Sequence, residues 1–276
     1  MDIYHVIIRG NNKQIVFTED DDFISFLDTL SQIKEDSGCM IFSYCLMHNH
    51  VHLLIKEGEE SLSDTMKKLE LRFVSWYNRK YQRCGCVFQG RFTSEPITST
   101  NYFLAAFRYI MQNPMNAYME KYPGYYPWSS FYAYFPYETE MDIYNLSVGL
   151  VKPKVRKLAK EYAQDIVDVD LPKSYFATNE TMLEFLMEPN KDICAEYYPM
   201  PSISDEEAIN LMYRLTGVKT PYDFQKMVIK DRDEYICTMK TAGYSKQQIN
   251  RYTGVPIYSI NKAIKQKGTD LQLKKA

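Results

Sequence analysis

Two β-rich runs, CMIFSYCLM at 39–47 and HVHLLIKE at 50–57, stand with only His48 and Asn49 between them. So short a connection joins antiparallel neighbours, and it leaves a turn at His48-Asn49 as the only link. Helical periodicity lies on both sides. EDDDFISFLDTLSQIKED at 19–36 spaces Phe23, Phe26, Leu27, Leu30 and Ile33 along one helix face, with acids in the first turn where the helix dipole favours them. SLSDTMKKLELRFVSWYNRKYQ at 61–82 repeats the pattern through Met66, Leu69, Phe73 and Trp76 or Tyr77, with Ser61 or Ser63 as its cap. Before them IYHVIIRG reads as a strand ending at the turn-forming GNN, and after them VFQGRFTSEPI reads as another strand region. STNYFLAAFRYIMQN is a third helix, expected to close at Pro114.

The order β, α, β, β, α, β, α is the ferredoxin-like split βαβ pattern of an α+β domain: four antiparallel strands with helices on one face. It assigns residues 1–135 to one domain. A helical connecting region follows at 136–203, in which KPKVRKLAKEYAQDIV and ETMLEFLMEP are expected helices without evident chemistry. A further all-helical unit, 204–276, opens with Ser204 as a cap. It continues with a helix to about Thr241, a turn at Gly243, a helix capped by Ser245, a turn at Gly254 and a last helix from near Pro256. Two short helices joined by a tight glycine turn form the helix-turn-helix pattern, whose second helix enters the major groove of DNA. A plain three-helix bundle would use the same caps and glycines, so charge has to separate the two readings. The chain as a whole carries a formal charge of -2, yet from Lys240 onward there are eight basic residues and a single acid, Asp270. That local excess favours DNA.

Composition excludes several classes. No run approaches the roughly 18 apolar residues of a membrane helix, and MDIYHVIIRG lacks a signal peptide's basic start and apolar centre, so a cytoplasmic protein is expected. The six cysteines are scattered, and the spacing of Cys84 and Cys86 is not the CxxC of zinc or redox sites, so reduced structural thiols are expected. No GxxxxGK[ST] loop is present, which argues against a nucleotide cofactor.

The chain has four histidines, and three of them occupy positions 48, 50 and 52. On a strand His50 and His52 point to one face and Val51 to the other. Two imidazoles can bind one divalent ion, but they need a ligand from another element to complete it. His48 shares their parity but stands in the turn, and it is not counted as a ligand. An isolated HxH pair is more often a surface or satisfied core feature, so a second segment is needed. FRYIMQNPMNA at 107–117 supplies it, because Tyr109 and Asn113, four apart, share one helix face. A phenol becomes a useful nucleophile when a cation neutralises the phosphate it attacks, and a carboxamide oxygen suits Mg²⁺ or Mn²⁺.

Taken in order, YHVIIRGNNKQIVF, HNHVHLLI, VFQGRF, RYIMQNPMNA and YPWSSFYAY resemble the single-tyrosine HUH transposases of insertion sequences, most closely the REP-associated branch, over about residues 1–135. The resemblance implies His50 and His52 as metal ligands, Asn113 as a third, Tyr109 as nucleophile, and Mg²⁺ or Mn²⁺ as cofactor. It implies an enzyme that nicks and rejoins single-stranded or hairpin DNA through a 5′-phosphotyrosine link. Family members usually carry proline where this chain has His48. Arg9, Asn11, Gln89 and Arg91 lie in family-like motifs and are candidates for DNA contact, with solvated strand-end residues as the plain alternative. Tyr125, Tyr126 and Trp128 suit core packing better than base stacking. Tyr258, Ser259, Asn261, Lys262 and Lys265 are the DNA-facing candidates of the last helices, on pattern and charge alone. A homodimer stays open, as do two other functions: a non-enzymatic DNA-binding regulator and a metal nuclease that uses water.

Overall fold

A computed structural model describes residues 2–117, 119–136, 153–188, 205–218, 220–242, 244 and 246–264. Its first part runs β1 (Ile3–Arg9), α1 (Asp20–Ser37), β2 (Met40–Met47), β3 (His50–Lys56), α2 (Leu62–Lys80), β4 (Thr93–Pro96) and α3 (Thr100–Asn116). The four strands form one antiparallel sheet in the order β2-β3-β1-β4, the topology expected of a split βαβ unit. β4 is shorter than the sequence suggests: only Thr93–Pro96 pair with β1, and the stretch before it touches the sheet through one bridge, Gly10 to Phe88.

The expectation of helices on one face is corrected. Right-handed crossovers from β1 to β2 and from β3 to β4 put α1 and α2 on the same face, against each other. No strand follows α3, so no crossover rule binds it, and it covers the opposite face. There Tyr109 meets His5 and His52, and Phe103 meets Phe42. Both faces of the sheet are therefore sealed: Val6, Ile8, Val51 and Leu53 are buried on one side, His5, His50 and His52 on the other.

A second correction concerns Pro114, which sits inside α3; the helix continues to Asn116. Proline's φ suits a helix, and only its missing N–H and ring obstruct the preceding turn. The last turn is held without that N–H, because Ala117 donates to the Asn113 carbonyl and Met119 to the Pro114 carbonyl.

One buried carboxylate fastens α1 to α2. Asp22 is fully buried and accepts from the backbone N–H groups of Thr18 and Glu19, closing a capping box at the start of α1. It also accepts from Lys80 Nζ and the Tyr81 hydroxyl at the end of α2, each at 2.8 Å. Ser61, rather than Ser63, caps α2 by accepting from Asp64 N–H.

The edge of β2 is covered in two places. Trp128 and Ser130 bond its backbone from one segment, and Val167–Asp168 bridge Ile41 from another. The chain between and around these points forms α4 (Phe131–Tyr134), α5 (Pro153–Ile166), α6 (Asp170–Lys173) and α7 (Asn179–Met187). Ala159, Ala163, Ile166, Met182 and Leu186 join the same hydrophobic core as the sheet.

A second cluster is built from α8 (Asp205–Thr216), α9 (Pro221–Lys226), α10 (Ile229–Thr241), α11 (Lys246–Thr253) and α12 (257–264), around Phe224, Ile236, Met239, Tyr244, Ile249 and Tyr252. Ile15, from the loop after β1, belongs to this cluster and not to the first. Its N–H donates to the Arg251 carbonyl at 2.8 Å, so α11 rests on that loop. Ser204, Gly243 and Ser245, expected as caps and turn, lie outside the described residues.

Removing the Asp22 carboxylate leaves two backbone donors and the Tyr81 hydroxyl without their acceptor, and leaves Lys80 with Glu19 at 3.2 Å. Asp22→Ala is expected to lower unfolding free energy by about 3 kcal/mol, the scale for breaking a buried ion pair from one side. Urea denaturation against the wild type measures it; a change under about 0.5 kcal/mol, the range of ordinary surface substitutions, would deny Asp22 this role.

Candidate metal and tyrosine site

The β1–β3 register sets Arg9 opposite His50, Ile7 opposite His52 and His5 opposite Leu54, so His5, Arg9, His50 and His52 share one face of adjacent strands. α3 lowers Tyr109 and Asn113 onto that face. The His50 and His52 rings are 4.8 Å apart, and the Tyr109 ring stands edge-on to His52 at 5.5 Å and to His5 at 5.9 Å. His50 is 3 % exposed, His52 and Asn113 0 %, and Tyr109 5 %. The four residues picked out from two distant segments are thus brought together.

Burial decides the protonation of the rings. It pulls His50 down to about 3, helped by the positive charges of Arg9 and Arg251, while the Asn113 side chain acts in the other direction. It pulls His5 down to about 4 against an opposing pull from Glu95. His52 is held well below its ordinary value by burial and then by its neighbours His50, His5 and Arg9. At neutral pH all three are uncharged and each carries one proton on one nitrogen.

Which nitrogen carries it can be read for His50. The Asn49 amide donates through Nδ2 to the Lys13 carbonyl, which turns its Oδ1 toward His50 Nδ1 at 2.7 Å. An amide oxygen only accepts, so His50 Nδ1 bears the hydrogen and Nε2 keeps a lone pair. His52 Nδ1 lies 3.0 Å from His5 Nε2. His52 Nε2 is buried with no hydrogen-bond partner, and Oδ1 and Nδ2 of Asn113, whose side chain stands beside His50, are buried without a hydrogen bond of good geometry. Buried polar atoms without partners are rare, and here an imidazole nitrogen and a carboxamide oxygen sit in one cluster. Two nitrogens and one oxygen are a donor set for a divalent ion, so the residues present fit the group that the resemblance implies. No group of three or more His, Cys, Asp or Glu side chains among the described residues is arranged to hold a metal.

The remaining candidates disperse. His48 donates Nδ1–H to the Phe17 carbonyl at 2.9 Å and packs against Phe23, which ties it to the loop after β1. Arg9, Asn11 and Gln89 gather at the His50 end of β1, where Asn11 N–H bonds the Val87 carbonyl and Gln89 N–H the Arg9 carbonyl. Gly10 between them has no room for a side chain: a Cβ would stand 2.4 Å from the Gln14 carbonyl oxygen. Arg91 is exposed and borders a separate cavity of about 530 Å³ with Lys67, Glu70 and Phe92. Tyr126 and Trp128 are core residues; Trp128 stacks on Phe23 at 4.5 Å. Tyr258, 79 % exposed, and Lys262 project from α12, and Ser259 and Asn261 are half-buried there. Lys265 lies outside the described residues.

Two site residues escape a reading by motif. His5 is the fourth histidine, and it reaches His52 only through strand pairing. Arg251 comes from α11, far along the chain, and its charge is felt at His50.

Residues 2–113 match the family model described as "Transposase IS200 like". That segment is less than half of the chain, and the similarity to the family is confined to it. A solved structure described as "Structure of the REP associates tyrosine transposase bound to a REP hairpin" is similar at 17% identity and a TM-score of 0.42, covering 49% of this chain and 80% of that one. No curated protein matches this chain. No helix among the described residues is long and apolar enough to cross a membrane.

Rings kept neutral by burial make stability depend on pH. In the unfolded chain a histidine takes up its proton near 6.5, whereas folded His5 and His50 resist until about 4 and about 3. Stability is complete above 6.5 and is lost as the pH falls from there toward those values. At pH 5 each ring is expected to cost about 2 kcal/mol. Urea midpoints at pH 7 and pH 5 test this; no loss at pH 5, or an equal loss in His50→Gln, would contradict it.

Proposed function

We propose that the protein nicks and rejoins single-stranded or hairpin DNA by metal-assisted transesterification through Tyr109. The observation that carries this is the meeting of His50, His52, Asn113 and Tyr109 in one buried cluster that includes polar atoms without partners. His50 and His52 would offer Nε2, and Asn113 Oδ1, to Mg²⁺ or Mn²⁺. Such an ion, when bound, polarises the scissile phosphate and fixes its position.

The Tyr109 phenolic oxygen attacks phosphorus, forming an O–P bond as the bond to the 3′-oxygen breaks. The phenol gives up its proton and the departing 3′-oxygen gains one, which leaves a 5′-phosphotyrosine and a free 3′-OH. A 3′-OH then reverses the step and joins strands; the ester energy stays in the link, so no nucleotide is consumed. Arg9 and Arg251 bring positive charge to the His50 side of the site, where DNA phosphate must approach. In this reading residues 1–135 are the catalytic part. The unit 204–276 adds duplex or hairpin recognition, with Tyr258 and Lys262 on the outer face of its last helix in a helix-turn-helix role.

End-labelled hairpin and single-stranded DNA incubated with Mg²⁺ or Mn²⁺ should give a slow band on a denaturing gel, stable to boiling in detergent. Tyr109→Phe should lose the band entirely and keep DNA affinity. Free 5′-phosphate ends without an adduct would replace this reading with a water-using nuclease. Binding without cleavage over a broad DNA pool would leave a regulator. Lys262→Ala is expected to weaken duplex binding several-fold and to flatten its salt dependence by about one ion, while a pre-bound hairpin is cleaved at the same rate.

A further inference from the structure

We infer that His5 is a positioning residue for the metal site: with the site loaded, its Nε2 accepts the Nδ1 proton of His52 and so supports the ring in the tautomer whose Nε2 can ligate. The inference rests on the metal reading above and adds a residue to it.

The placement of one proton decides the role of His5. His5 Nε2 and His52 Nδ1 are 3.0 Å apart, and the two rings are stacked at 5.2 Å with an interplanar angle of 27°. Two neutral imidazoles share this contact through a single hydrogen, which leaves two arrangements. In one, His52 donates from Nδ1, its Nε2 keeps a lone pair, and the proton of His5 stands on Nδ1. In the other, His5 donates from Nε2, and the proton of His52 stands on Nε2, where it blocks coordination. His52 Nε2 and His5 Nδ1 are both buried without partners, so the protein itself does not choose between the two. A cation at Nε2 does, because it needs the lone pair and rejects the proton. His5 is then the acceptor behind the ligand, as Asn49 Oδ1 is behind His50 at 2.7 Å. The two ligands thus have matching support from different elements: a turn residue for one, a neighbouring strand for the other.

The strand neighbours of His52 cannot take this part. Cys45 and Ile7, the register partners of His52 on either side, offer no nitrogen or oxygen acceptor on their side chains. His5 sits two positions from Ile7 on the same face, near enough for its ring to reach back.

The test is nitrogen NMR of the full chain with ¹⁵N-labelled histidine; four histidines keep the spectrum assignable by single substitutions. With saturating Mg²⁺, His52 should carry its hydrogen on Nδ1 and show a bare Nε2, and His5 should show a bare Nε2. A hydrogen on His52 Nε2 in the Mg²⁺-bound protein overturns the inference. Mn²⁺ titration gives an independent reading. His5→Leu should weaken Mn²⁺ binding about 10- to 100-fold, the usual effect of losing a residue behind a ligand. His5→Gln, whose Oε1 can accept from His52 Nδ1, should stay within a few-fold of wild type. Equal affinity in His5→Leu, or the same loss in His5→Gln, overturns the inference while the metal reading stands. Mn²⁺ binding that His50→Ala does not weaken overturns the metal reading itself, and the role of His5 with it.

Discussion

Three imidazoles buried between a β-sheet and a helix are the constraint on which the rest of this structure depends. A sheet face made of His5, His50 and His52 would be ordinary in water. Under α3 it loses water, so each ring stays neutral, and a buried N–H without an acceptor is costly. The fold answers with short-range partners, Asn49 for His50 and a second histidine for His52. It leaves His5 Nδ1, His52 Nε2 and both polar side-chain atoms of Asn113 buried without partners. Such an arrangement has no folding benefit that apolar residues of equal size would not exceed. On the proposed reading, its explanation is the metal ion that the cluster would hold.

The stability that offsets it comes from the other face. Phe26 of α1 and Phe73 of α2 stack and cross with Phe17 and Phe88 at 5.2 to 5.7 Å, and Asp22 ties those two helices at one end. The division of labour follows from strand alternation, with apolar residues at even positions of β1 and polar ones at 5 and 9. A one-residue slip between β1 and β3 would exchange the faces and drive the histidines into the aromatic core, so register is strongly fixed here.

Much of this was legible in the chain. Strand and helix order followed from local periodicity, which is why the sheet topology agrees, and His50, His52, Tyr109 and Asn113 were singled out by two intervals, two along a strand and four along a helix, together with the family resemblance of the segments that carry them. What escaped depends on pairing rather than spacing. His5 stands 47 residues from His52, and only the β1–β3 register joins them. The placement of α3 escaped because handedness rules govern crossovers and α3 is not one. Asp22 looked like one of several acids at a helix start, and its burial comes from Lys80 and Tyr81 closing over it. Pro114 misled because its ring disfavours a preceding turn without forbidding a last one.

Arg251 raises a different point, since the family-matched segment ends at Asn113 and the helical unit lies wholly beyond it. Had that unit been a tethered reader of DNA, its residues would be irrelevant to the chemistry of the sheet. Instead Ile15 is taken into the helical core, its N–H bonds the Arg251 carbonyl, and the same loop carries Val16, whose N–H bonds the His48 carbonyl two residues from His50. One loop is therefore shared by the helical unit and by the turn that orients the histidines. On the proposed reading, a strand of DNA held by the helical unit loads that loop directly. The helical unit then supplies both a grip on DNA and a charge at the site, and separating the two by truncation would remove Ile15's partners along with the reader. Point substitutions on the outer face of α12 disturb the grip alone, because Tyr258 and Lys262 point away from the cluster that Ile15 enters.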